Sequence, residues 1–237
     1  MVNYEHDSCP NHSMYIGIVC YGRGGKMGKE FIEIFEKWAD SYDESLTEDI
    51  EYKEVFKDYE LILTEVANRA YGAVVEFGPG TGNLTLKLAD KGLSVTGLEP
   101  SKAMRKLADE KLKGKAVVKD GDFLQFSLEK NPDVFVSTYA FHHLTDEEKA
   151  EAITLYSNLL PSSGKIVFAD TMFRSEEDYE KAKDAAANSG FHNLAADLAR
   201  EYYSTIPALQ RMLEGAGFTA VFTRMNEFVW IMEGTKV

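Results

Sequence analysis

From Met27 onward the chain moves between two hydrophobic periods. Phe31, Ile34, Phe35 and Trp38 recur at helical spacing and predict an amphipathic helix over residues 29–40. Val55, Phe56, Tyr59, Ile62, Leu63 and Val66 repeat that spacing, predicting a second helix over 52–70 that Gly72 ends. The period then changes. Residues 73–77 are a short apolar run with β-branched side chains, as in a buried strand. A glycine-rich turn follows, and then a helix over 83–91 closed by Gly92.

The alternation continues with a strand at 94–98 and a helix at 101–112, which Ser101 can cap behind Pro100. Further strands are predicted at 116–119, 133–138 and 165–169, with a helix at 146–160 and a turn at 161–164. Strands alternating with helices predict a parallel sheet covered on both faces, wound by right-handed crossovers. At the end the rhythm breaks. A helix at 205–215 precedes two strands, 218–223 and 228–232, joined by the short turn Met225-Asn226-Glu227. The expected fold is therefore α/β: a Rossmann-like, doubly wound, mostly parallel seven-stranded sheet with an antiparallel C-terminal hairpin and helices on both faces.

The 237 residues suit one such domain. We place it at 27–237, with an N-terminal helical cap over 27–70 and a helical insert or lid over 174–204. Residues 1–26 differ in texture and hold both cysteines, Cys9 and Cys20. They read as a disordered or non-native leader, with Met27 as the biological start. Arg23-Gly24-Gly25 in front of it resembles a translated ribosome-binding site. His6, Cys9, His12 and Cys20 have no paired metal-ligand spacing, and no metal constellation is expected in the body, although separate loops could bring ligands together.

Charge narrows the partners. A formal net charge of −13 repels phosphate backbones, which disfavours a nucleic-acid substrate and suits a small-molecule acceptor. No run approaches the roughly 20 apolar residues of a membrane helix, and no export signal is visible, so no membrane association and a cytoplasmic location are expected. The oligomeric state is left open.

The chemistry is concentrated after the strands. Glu76-Phe77-Gly78-Pro79-Gly80-Thr81-Gly82 joins a predicted strand to a predicted helix. Gly78, Gly80 and Gly82 allow a tight turn against which a ligand can lie, and the helix start offers free N–H groups. The spacing differs from the dinucleotide Gly-x-Gly-x-x-Gly. Glu99 ends the second strand, where a carboxylate can accept both hydroxyls of a ribose. Asp122 follows the third strand and can take the exocyclic amine of adenine, with Phe123 against the ring. Asp122 also reads as a turn residue.

On these residues the sequence resembles the class I S-adenosylmethionine-dependent methyltransferases. The shared features are the Glu-x-Gly-x-Gly-x-Gly turn, the acid ending the second strand, Gly121-Asp122 after the third and His142-His143-Leu144 after the fourth. More closely, it resembles the YrrT-type methyltransferases of firmicute bacteria. That likeness runs from Met27 nearly to the C-terminus, through Trp38-Ala39 with Tyr42-Asp43, residues 139–149 and Phe228-Val229-Trp230. The resemblance implies S-adenosylmethionine as cofactor, with Gly78, Glu99 and Asp122 as its contacts, and a link to methionine and sulfur recycling.

The sulfonium is already an activated methyl donor, so positioning can supply most of the rate, and a base is needed only where the acceptor must lose a proton. His142 and His143 are the candidate bases, since neutral imidazole is available near neutral pH; one of the pair can instead pack or cap the next helix. Tyr139 reads as pocket wall and Tyr42 as a residue closing over the cofactor. Asp170 can orient a substrate or simply end its strand. Phe191, His192, Tyr202 and Tyr203 lie in the expected lid. Two other functions stay open. One is an aminopropyltransferase using decarboxylated S-adenosylmethionine. The other is a non-catalytic protein that binds S-adenosylmethionine or S-adenosylhomocysteine, because fold and binding do not prove turnover.

Overall fold

The computed structural model describes residues 49–237 and the backbone of residues 19–21. The expected helix at 29–40, Tyr42 and the leader, apart from that short strand, lie outside the described residues.

The elements run β1 (Val19–Tyr21), α1 (Tyr59–Arg69), β2 (Ala73–Phe77), α2 (Asn83–Asp90), β3 (Ser94–Leu98), α3 (Lys102–Leu112) and β4 (Val117–Lys119). Then come β5 (Phe126–Leu128), β6 (Val134–Thr138), a 3₁₀ turn (Phe141–His143), α4 (Asp146–Leu159) and β7 (Lys165–Thr171). The chain ends with α5 (Glu176–Asn188), α6 (His192–Arg200), α7 (Ile206–Gly215), β8 (Phe218–Arg224) and β9 (Val229–Lys236).

Seven strands form one sheet in the order β4-β3-β2-β6-β7-β9-β8. Pairing is parallel from β4 to β7, whereas β9 runs antiparallel to both β7 and β8. The expected doubly wound sheet with an antiparallel C-terminal hairpin is the fold. The chain winds outward from β2 through β3 and β4, then returns to the other side of β2 with β6. That reversal opens a crevice at the carboxyl ends of β2 and β6, where sheets of this kind bind ligands.

Alternate strand residues feed two cores. Val75, Phe77, Phe135, Ile166 and Phe168 pack on one face against Ile153 and Tyr156 of α4 and Leu209 and Leu213 of α7. Val74, Val134, Val136, Val167 and Ala169 pack on the other against Ile62, Leu63 and Val66 of α1 and Leu84 and Leu88 of α2. The insert carries a small core of its own, in which Ala186, Leu194 and Leu198 meet Val55 and Phe173.

Two features depart from the sequence reading. The helix expected over 52–70 begins only at Tyr59, behind Asp58 in the left-handed region (φ 61°). The carbonyls of Val55 and Lys57 are bonded by the Asn226 side chain, 3.0 and 2.8 Å away, so the segment is held as turns against the C-terminal hairpin. The second is an added pair, β1 with β5, antiparallel, with Cys20 opposite Ser127. Elsewhere the strands and helices fall within a few residues of expectation. Ser101 caps α3 by accepting the N–H of Met104, and Thr145 with Glu148 forms a full capping box on α4.

Candidate active site

The glycine turn leaves β2 at the crevice. Gly78 (φ 62°) could not carry a side chain, because its Cβ would stand 2.8 Å from the Ala140 Cβ; the turn is pressed against the loop after β6. Gly80 (φ 55°) is different. A Cβ there would meet no heavy atom within 4 Å, so open space lies in front of this part of the turn. Gly82 is the N-cap of α2, whose first turn has no side-chain cap. The positive end of a helix dipole at such a start favours a ligand oxygen.

Glu99 sits beneath this turn. Its Oε2 accepts the Gly80 N–H (3.0 Å) and its Oε1 accepts the Ser101 N–H (2.9 Å). Burial pushes its carboxyl up, while the Ser101 and Gly80 N–H groups and the Arg105 guanidinium pull it back. Each oxygen keeps a further lone pair. Sequence reasoning missed Glu76 as a site residue, although it is the first residue of the glycine motif. It is buried on the α2 side of the sheet and accepts the Thr85 hydroxyl at 2.6 Å. Burial pushes its carboxyl up to about 8.

Asp122 folds onto its own loop, where its Oδ1 accepts the N–H groups of Leu124 (3.0 Å) and Gln125 (2.6 Å). The structure places Phe123 away from the crevice, in the aromatic core. Its ring stacks on Phe77 at 5.1 Å and lies 5.5 Å from Phe141, and its carbonyl accepts the buried Tyr156 hydroxyl. Tyr139 sits in the left-handed region (φ 54°), with its ring packed on Phe56 and Tyr59, which makes it part of a wall formed by the N-terminal segment.

His142 and His143 lie on the 3₁₀ turn after β6, beside the same crevice. Asp170, at the end of β7, clasps His142 twice: Oδ1 lies 2.7 Å from Nδ1, and Oδ2 accepts the backbone N–H at 3.0 Å. Glu201, at the end of α6, brings its Oε2 to 3.1 Å from His142 Nε2 and 2.9 Å from His143 Nδ1. Burial disfavours a charge on His142, but the Asp170 and Glu201 carboxylates outweigh it and raise its pKa to about 10. Burial and the neighbouring His142 charge push His143 down. The pair thus splits into a cation and a neutral ring. Asp170 is a partner of this cluster rather than a plain strand end, and Glu201 was not foreseen from the sequence. Of the expected lid residues, Tyr203 comes close, its ring 5.1 Å from that of His142.

Among the described residues no helix is long and apolar enough to cross a membrane. A family profile described as a methyltransferase domain matches residues 74–164, the stretch from β2 to the turn before β7. An uncharacterized methyltransferase of Geobacillus sp. (strain WCH70) is 56% identical over 212 residues, covering 89% of this chain and 100% of that protein. Another, from Bacillus cereus (strain 03BB102), is 54% identical over 211 residues with the same coverage. Among solved structures, magnesium protoporphyrin IX methyltransferase from Synechocystis PCC 6803 with bound S-adenosylmethionine superposes with a TM-score of 0.66 at 16% identity, covering 91% of this chain and 100% of that one.

Proposed function

Since the chain belongs to the class I S-adenosylmethionine-dependent methyltransferases, we propose that it methylates a small-molecule acceptor held beside His142 and His143. The observation that carries the placement is the open space at Gly80 directly over the buried Glu99 carboxylate. These residues fit the cofactor. A ribose laid against the turn would give its hydroxyls to the remaining lone pairs of Glu99, while the positive end of the α2 dipole would favour an anionic group of the ligand. Asp122 and its loop bound the adenine side, and Tyr139 bounds the side toward the N-terminal segment. When bound, the cofactor supplies a methyl group already activated by its sulfonium.

The protein's own contribution is then to position and to exclude water. The glycine turn and Glu99 hold the donor side. The loop after β6, roofed by the insert, holds the acceptor side and carries a close cluster of imidazoles and carboxylates. Net charge supports a small acceptor over a nucleic acid. The resemblance to sulfur-recycling methyltransferases makes thiol metabolites the first acceptors to assay.

The test is calorimetry with S-adenosylmethionine and S-adenosylhomocysteine on the wild type and Glu99→Ala. Loss of two charge-assisted bonds should weaken both ligands by about 2 kcal/mol, roughly 30-fold. No binding by the folded wild type, or equal binding by the variant, would overturn the assignment. Incubating the binding-competent protein with labelled S-adenosylmethionine and a metabolite extract then separates an enzyme from a protein that only binds the cofactor.

A further inference from the structure

Three donor atoms from two distant parts of the chain converge on the acceptor side. His142 Nε2, His143 Nδ1 and Glu201 Oε2 all lie within 4.8 Å of one another. The carboxylate oxygen stands 3.1 Å from the first nitrogen and 2.9 Å from the second. Ligands about 2.1 Å from one metal ion stand about 3.0 Å apart at a right angle and about 3.4 Å apart at the tetrahedral angle. The two separations match the right-angled case. We infer that His142, His143 and Glu201 bind one divalent first-row transition-metal ion, which displaces the proton of His142 Nε2 to solvent and keeps its remaining positions open to an oxygen or sulfur donor of the acceptor.

The surroundings are built as such a site requires. Asp170 holds His142 through Nδ1 and through the backbone N–H, which fixes the ring and presents Nε2. A carboxylate behind a ligating imidazole is the usual outer partner in metal sites. Asp170 is itself fixed by the Thr171 N–H at 2.7 Å. The outer oxygen of Glu201, Oε1, is taken by Arg200 at 3.2 Å, which leaves Oε2 for the ion. Oε2 is buried and faces both imidazole rings. The segment after Glu201 is pinned from two sides. The Tyr202 N–H bonds the His142 carbonyl at 3.0 Å, and the buried Lys149 ammonium bonds the Tyr202 carbonyl and the Ser204 hydroxyl. Two carboxylates, Asp170 and Glu201, balance the charge of a divalent ion. The mixed imidazole and carboxylate set suits zinc, cobalt, nickel, manganese or ferrous iron over magnesium or calcium.

The role given to the open positions rests on the acceptor-side reading above, whereas ion binding stands apart from it. The full-length protein, stripped with a chelator, is titrated with Co²⁺ by visible absorption and with Zn²⁺ by calorimetry. One ion per chain is expected. His143→Ala and Glu201→Gln should each weaken it about 100-fold or more, and Asp170→Asn about tenfold. S-adenosylhomocysteine binding and circular dichroism are read in parallel; they should hold in the variants, and a failure of the cofactor site would appear there alone. Failure of the folded wild type to bind Co²⁺ or Zn²⁺ stoichiometrically would overturn the inference. So would binding that survives in both His143→Ala and Glu201→Gln, since the ion would then lie elsewhere, for instance at Cys9 and Cys20.

Discussion

Glu76 should leave a mark on the pH dependence of stability. Its side chain is 1% exposed, shares the α2 face of the sheet with apolar neighbours and has one hydroxyl partner, Thr85. Burial raises its carboxyl from 4.5 to about 8, the Thr85 bond opposing the rise and the Glu99 charge adding to it. Such a group holds its proton more tightly in the folded chain than in the unfolded one. Its stabilising contribution is complete below pH 4.5 and is lost as the pH climbs toward 8. Within that window each pH unit is worth about 1.36 kcal/mol, so the step from about pH 5.5 to about pH 7.5 removes roughly 2–3 kcal/mol through this residue. Glu76→Gln keeps a carbonyl oxygen for Thr85 and has no proton to lose. Urea unfolding of both proteins at the two pH values should therefore show the wild type falling by about 2–3 kcal/mol more than the variant. Groups that titrate in both proteins cancel in the comparison. Parallel pH profiles would mean that Glu76 is ionised in the fold at neutral pH, and would refute the burial argument.

Three further expectations test the geometry. Gly80→Ala and Gly92→Ala both place a side chain at positive φ with nothing within 4 Å, so each should lose about 1–2 kcal/mol of stability. Only Gly80→Ala should also weaken S-adenosylhomocysteine binding more than tenfold in calorimetry; equal binding by the two would remove Gly80 from the ligand site. Asn226→Ala deletes two bonds to the carbonyls of Val55 and Lys57 and two from the N–H groups of Phe228 and Val229. A loss of about 2–4 kcal/mol follows, seen in calorimetric melting as a Tm lower by roughly 5–15 °C. Tyr156→Phe removes the buried hydroxyl that holds the Phe123 carbonyl at 2.7 Å and should cost about 1–2 kcal/mol in urea unfolding.

The sheet and its glycine turn were legible because their signals are local. A strand covered on both faces is mostly apolar, so the run from Ala73 to Phe77, apolar at every position but Glu76, reads as one. The glycines of the turn announce positive φ by their identity, and Ser101 and Thr145 announce helix starts by their hydroxyls. What failed was settled at long range. Tyr52, Val55, Phe56 and Tyr59 have helical spacing, yet Asn226, far along the chain, takes two of the carbonyls a helix would use. The aromatic after Gly121-Asp122 suits a cofactor ring on sequence alone. The turn that Asp122 itself closes rotates Phe123 inward onto Phe77.

The histidine–carboxylate cluster was half legible for the same reason. His142 and His143 stand out as neighbours after a strand, but their chemistry depends on what faces them. Asp170 reaches His142 because β7 is the parallel neighbour of β6, so residues just past the paired ends of the two strands lie side by side. That much follows from topology. Glu201 reaches both rings only because the insert folds back as α5 and α6 on a core of its own and is then tied down by Lys149 and the His142 carbonyl. In sequence it is one acid among 39 acidic residues, with nothing in its spacing to mark it. The same dependence gives a prediction. Lys149→Met preserves the apolar stem while releasing the Tyr202 carbonyl and the Ser204 hydroxyl. If the insert delivers Glu201 through this anchor, amide exchange at Tyr202 and Ser204 should speed up and Co²⁺ binding should weaken about tenfold. S-adenosylhomocysteine binding at the far side of the crevice should stay as it is. Unchanged exchange at those amides would show that the hydrophobic packing of α5 and α6 alone places the carboxylate, and the lysine would then be a buried charge without a positioning role.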